Sequence, residues 1–366
     1  MTMPRRLLVR EGKDAVYHCM MRCVRRAFLC GEDYYSGKNY DHRKEWVRSR
    51  LEKLARFFGV DVLAYAVMSN HLHVVVRTRP DRVASWEDEE VARRWLNVYM
   101  PRHADETREK PVYEVRQGDI NQVLWEEGRV EELRGRLCNL SWFMRSLNEH
   151  IARRANKEED LTGRFWEGRF KCQRLDDEVG IRMCMCYVDL NPVRAKLADS
   201  LEGYPFTSIY DRIVARKAEG RKAALANEMR RSKAEAQRLE LEKLALSRDR
   251  DRAAFLAPLD RSEDSPFSRW TEEDYFRVID WTGRQMRRDK PGVIDPEIRP
   301  LLELLEVDPE AWVETVRNYG RRFGLVVGTV ESIRRAATAL GRCWLKGCRS
   351  CEGAFLKPAA APPGGG

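Results

Sequence analysis

The chain has 366 residues, with 67 Lys and Arg against 58 Asp and Glu, a formal net charge of +9 and a pI near 9.0. That length accommodates two domains, and the basic excess suits a polyanionic partner without identifying one. No run of about 18 apolar residues exists, and the first ten residues lack the apolar core of a secretory signal, so no membrane partner is expected and a cytoplasmic location is.

The stretch from Ala15 to Cys23 (AVYHCMMRC) reads as a first strand. A helix follows over about 40–58, where Val47, Leu51, Leu54 and Phe58 recur at helical spacing and Gly59 ends it. Two β-rich runs, 61–68 and 71–78, are separated only by Ser69 and Asn70, which predicts an antiparallel hairpin. Residues 79–128 are polar and read as an insertion, with one short helix opened by Ser85 and Trp86 and stopped near Pro101. A continuous stripe of Leu133, Leu137, Leu140, Met144, Leu147 and Ile151 predicts one long helix from about Glu132 to Ala155. A fourth strand is expected over 169–175, then a helix over 176–190 that stops at Asn191-Pro192. The order β-α-β-β-α-β is that of an α+β fold with a ferredoxin-like antiparallel sheet and helices on one face.

From Ala215 to Arg252 the composition is Ala, Glu, Lys and Arg, a solvated helix or linker. Thr271, Asp308-Pro309 and Thr329 are starts for three further helices, the second carrying Trp312, Val316, Tyr319 and Phe323 on one face. The expected organisation is therefore a catalytic domain over 10–213, a charged helical linker over 214–262, a small all-helical domain over 263–351 and a disordered tail over 352–366. Most of the ten cysteines sit in apolar patterns and read as reduced structural thiols. Cys343, Cys348 and Cys351 show C-x4-C-x2-C spacing, but the iron–sulfur loop that begins this way needs a fourth cysteine and none follows.

His71 and His73 start the third strand, where alternation points both imidazoles to one face, an arrangement that can hold a divalent cation. The same pair can also be polar residues at a hairpin mouth. Two histidines hold a metal poorly, so a third ligand is expected, and Tyr187 and Asn191, one helical turn apart, are the candidates for meeting them. Tyr187 also fits a core position beside Val179, Met183, Cys186 and Leu190, and Asn before Pro is a frequent helix stop. Arg164, Phe165, Trp166, Arg169, Phe170 and Lys171 interleave charge with aromatic rings as a groove for a single-stranded nucleic acid would, with Arg22, Arg194 and Lys196 as further phosphate contacts. Core aromatics at a strand edge would give the same pattern.

Three segments, AYAVMSNHLHVVV at 64–76, GRFWEGRFKCQRLDD at 163–177 and CYVDLNPVRAKL at 186–197, resemble the REP-associated tyrosine transposases. These are single-tyrosine HUH nucleases related to insertion-sequence-200 transposases. The resemblance covers about residues 10–213 and implies an HUH nuclease fold with the C-terminal helical region lying outside it. By this match His71 and His73 stand for the metal-binding pair, Tyr187 for the nucleophile and Asn191 for the residue that completes the metal site, although many relatives carry Gln there. The implied activity is cleavage and rejoining of single-stranded or hairpin DNA with Mg²⁺ or Mn²⁺, through a 5′-phosphotyrosine and a free 3′-hydroxyl. A monomer or homodimer is expected. A domesticated hairpin-binding protein and a replication-initiator or relaxase-type HUH nuclease are the rival readings, the latter often carrying two tyrosines where this helix has only Tyr187.

Overall fold

Apolar-rich runs become strands at the start of the chain, giving β1 (Ala15–Arg22), α1 (Arg43–Phe57), β2 (Val60–Val67) and β3 (His71–Thr78). The computed structural model describes residues 7–24, 29–33, 37–99, 115–231, 236–262, 265–287 and 296–348. β3 is antiparallel to β1, with His73 opposite Met20 and His71 opposite Arg22. The hairpin turn is closed by Met68 N–H donating to the His71 carbonyl at 2.8 Å. Every residue of β3 after His71 is buried, the apolar Leu72, Val74, Val75 and Val76 together with the polar His73, Arg77 and Thr78.

The insertion holds more structure than its polarity suggests. Where one short helix was expected there are α2 (Pro80–Ala84), α3 (Asp88–Val98) and α4 (Gln117–Trp125), while Pro101 lies outside the described residues. The expected long helix is two, α5 (Arg129–Leu137) and α6 (Leu140–Glu159). The break is chemical: the Asn139 side chain accepts from the Ser141 and Trp142 amides at 2.8 and 3.2 Å, capping α6. Leu133, Leu137, Leu140, Met144, Leu147 and Ile151 all stay buried, so the stripe crosses the break without recording it.

The remaining elements are β4 (Lys171–Leu175), α7 (Glu178–Asp189), α8 (Asn191–Arg194), α9 (Ser208–Arg231), α10 (Ala236–Asp251), α11 (Glu272–Arg287), α12 (Ile298–Leu304), α13 (Pro309–Arg317), α14 (Tyr319–Arg322), β5 (Val326–Val327) and α15 (Val330–Ala339). The caps expected at Thr271, Asp308 and Thr329 all accept amide protons at their helix starts. The stripe from Trp312 to Phe323 divides at Asn318 between α13 and α14, with its four residues buried. The strands form a five-stranded sheet in the order β2-β3-β1-β4-β5, and the fold is α+β. The C-terminal region is not all-helical, since β5 pairs in parallel with β4, Arg174 opposite Val326 and Leu175 opposite Val327.

The chain divides into two compact units, one of residues 1–63, 67–171 and 211–257 and one of residues 64–66, 172–210 and 258–366. In the second unit α7 is buried on every side from Val179 to Asp189. Gly180 permits this, because a Cβ there would lie 2.8 Å from the Val327 carbonyl oxygen, too close for any side chain. Asp177 fixes both partners, accepting from the Gly180 amide at 2.8 Å and the Thr329 amide at 2.7 Å.

Candidate active site

In the first unit the antiparallel register sets the histidines on one face of the sheet. The His71 and His73 rings stand edge to face with centroids 4.9 Å apart. His73 is 1% exposed, and its Nδ1 lies 2.8 Å from Nε2 of His18 on β1. One of that pair donates; when the proton is on His73 Nδ1, the lone pair on His73 Nε2 can bind a cation. His71 Nδ1 lies 2.7 Å from the Asn70 side-chain oxygen, an acceptor, which puts the ring proton on Nδ1 and the lone pair on Nε2. Sequence reading missed His18. It sits diagonal to His73 across the ladder, a relation visible only once β1 is known to pair with β3 in this register.

The second cluster lies where α7 gives way to α8, in the second unit. Tyr187 is 8% exposed and its ring stacks on Tyr319, centroids 4.5 Å apart and planes 20° from parallel. The Arg194 guanidinium lies 5.0 Å from the Tyr187 ring centroid, and its Nη2 donates to the Asn191 side-chain oxygen at 2.8 Å and toward the Tyr187 hydroxyl at 3.4 Å. Burial raises the Tyr187 pKa above its ordinary value, and the Arg194 charge opposes that rise. Asn191 is 1% exposed, and its amide nitrogen is buried with no hydrogen-bond partner. The Asn191 oxygen thus already accepts from the cationic Arg194, a neighbour whose charge opposes a second cation at the same atom. Tyr319 was legible only as a core aromatic of the C-terminal region; nothing in its spacing announces that it backs Tyr187.

The remaining expected contacts separate by burial. Arg22, Arg164, Arg169, Lys171 and Arg194 are exposed. Trp166 is not a stacking platform: it is 9% exposed and its indole N–H donates to the Asn148 carbonyl at 2.9 Å. Phe165 and Phe170 are buried too, so the aromatic part of the expected groove is packing. The described cysteines are unbridged, and burial lifts Cys30 to about 12 and drives Cys23, Cys184 and Cys186 higher still, consistent with inert structural thiols. Cys351 lies outside the described residues. Among the described residues no three or more His, Cys, Asp or Glu side chains gather as a metal site, and no helix is long and apolar enough to cross a membrane.

No family model and no curated protein matches the chain. Among solved structures it is similar to one described as a REP-associated tyrosine transposase bound to a REP hairpin, at 12% identity over 57% of this chain and 82% of that one. The TM-score is 0.32, and a likeness of that degree carries no argument about what this chain does.

Proposed function

We propose that the protein is a single-tyrosine nuclease and strand transferase acting on single-stranded or hairpin DNA, with its catalytic part within residues 10–213. The observation that carries this reading is the Tyr187 hydroxyl beside an exposed arginine that also grips Asn191, at the end of the helix that follows β4. A core tyrosine has no need of that cation. The paired imidazoles on β3 supply the second support.

In the reaction, Tyr187 Oη attacks the scissile phosphorus, an Oη–P bond forms, and the P–O3′ bond breaks. The phenol proton passes to solvent and the departing 3′ oxygen takes one up. The product is a 5′-phosphotyrosine, which a later 3′-hydroxyl can reverse without ATP because a phenolate leaves readily. Mg²⁺ or Mn²⁺ held by His71 and His73 would supply positive charge at a non-bridging oxygen. Arg194 stabilises the phenolate on attack and on departure. Asn191 is a positioning residue that holds Arg194 through its side-chain oxygen, a role that fits the geometry better than metal ligation. Exposed Arg164, Arg169, Lys171 and Arg22 take DNA phosphates.

Arg194→Ala is expected to slow adduct formation by roughly tenfold to a hundredfold. Because Arg194 lowers the Tyr187 pKa, its loss should also displace the rising limb of the pH–rate profile to higher pH, with Arg194→Lys intermediate. A rate loss with an unmoved profile would deny Arg194 this role.

The reading as a whole is tested by incubating the protein with labelled hairpin DNA and Mn²⁺ and resolving the products on a denaturing gel. A protein–DNA adduct that survives denaturation and is lost in His71→Ala supports it. Binding without an adduct would favour the hairpin-binding reading, to which the burial of Tyr187 against Tyr319 lends its support.

A further inference from the structure

The thirty residues from Tyr319 to Cys348 hold six basic side chains, Arg321, Arg322, Arg334, Arg335, Arg342 and Lys346, against one acid, Glu331. Their net +5 is over half of the chain's +9, concentrated on one short stretch. Arg322 is turned to Glu314, while Arg321, Arg334, Arg335, Arg342 and Lys346 are exposed. Glu331 neutralises little of this, since it meets Arg335 only at 3.7 Å with both side chains well solvated.

Amid these cations Trp344 is 71% exposed. Its loop is fixed from both sides. The α15 helix ends with Gly341 at φ +64°, the Gly341 amide donating to Thr338 and the Arg342 amide to Ala337 at 3.0 and 2.9 Å, a closed C-terminal turn. Beyond Trp344, Leu345 is buried, the Gly324 amide donates to the Lys346 carbonyl at 3.3 Å, and Gly347 takes φ +126° against Ile333 and Phe323. The indole is thus displayed by an anchored loop between two cations at i−2 and i+2.

We propose that α15 and the 341–348 loop form a contact surface for single-stranded DNA, in which Trp344 stacks on an unpaired base and Arg342 and Lys346 take the phosphates beside it. A flat π-face among cations is what successive bases and phosphates require, and it is indifferent to sequence. A duplex offers no unpaired base to the indole. The choice of DNA as the strand rests on the strand-transfer reading; the surface itself does not.

The test uses the full chain carrying Tyr187→Phe, in EDTA, so that binding is read without chemistry and independently of whether an adduct can form. Fluorescence anisotropy with labelled oligothymidylate should show roughly tenfold weaker binding for Trp344→Ala and near-parental binding for Trp344→Phe. Arg342→Ala with Lys346→Ala should reduce the salt slope by about one to one and a half. Trp344→Ala should leave thermal melting and duplex binding unaltered. Oligothymidylate affinities within about twofold of the parent for both the Trp344→Ala and the double variant would overturn the proposal and assign the patch to another occupant such as a protein. A tenfold preference for oligouridylate RNA would overturn the choice of DNA.

Discussion

Replacing Tyr187 by Phe is expected to abolish the covalent adduct, lowering its yield by about a thousandfold or more, while the protein stays folded. Both halves follow from the surroundings of the ring. Phe keeps the stack on Tyr319 and the packing of a side chain only 8% exposed, so the scaffold loses little. What disappears is the oxygen 3.4 Å from Arg194, the one atom that can bond to phosphorus. Tyr319→Phe is the matched control. That hydroxyl is buried, with its pKa raised first by burial, so its removal should leave the adduct intact. If the two variants lost activity alike, the stacked pair as packing would explain the data and Tyr187 as nucleophile would not.

Asp189→Ala should be the most destabilising single change near the site, by about 3–5 kcal/mol. The Asp189 carboxylate is 2% exposed and accepts from the Ser208 hydroxyl, from the Ile209 amide at 3.0 Å and from the Tyr275 hydroxyl at 2.8 Å. It thereby ties α7, two residues beyond Tyr187, to the start of α9 and to α11. Truncation leaves three buried donors facing a cavity, each costing on the order of 1–3 kcal/mol before relaxation. Asp189→Asn should cost less, because the amide oxygen can still accept. Urea unfolding followed by far-ultraviolet circular dichroism checks this, and a midpoint shift for Asp189→Ala no larger than for a substitution at an exposed residue such as Glu127→Ala would contradict it.

Strands β1 to β4 were legible because burial writes short apolar runs such as VLAYAV and VVV into the sequence, and the Ser69-Asn70 turn left only one short connection between β2 and β3. The helix breaks at Asn139 and Asn318 were hidden, since an apolar stripe keeps its period across a capped interruption. β5 was illegible: two residues carry no period, and their pairing depends on Gly180 and on Asp177, which holds the Gly180 and Thr329 amides. At the site, the local pairs could be read from spacing, His71 with His73 along a strand and Tyr187 with Asn191 over one helical turn, whereas Arg194 was read only as a phosphate contact. His18 and Tyr319 could not, because each meets its partner through pairing or packing between elements far apart in the chain. The assignment of Asn191 as a metal ligand illustrates the same limit: spacing gave its position, and only the arginine beside it shows how its oxygen is engaged.

The proposed reaction joins one named oxygen, Tyr187 Oη, to DNA. The adduct formed with single-stranded hairpin DNA should be trimmed with nuclease, digested with trypsin and sequenced by tandem mass spectrometry. Residues 183–194 form one tryptic peptide, MCMCYVDLNPVR, with a single tyrosine. A nucleotide joined through its 5′-phosphate to Tyr187 in that peptide is expected. A modification on any other residue, or DNA cleaved with water as the only nucleophile, would contradict it.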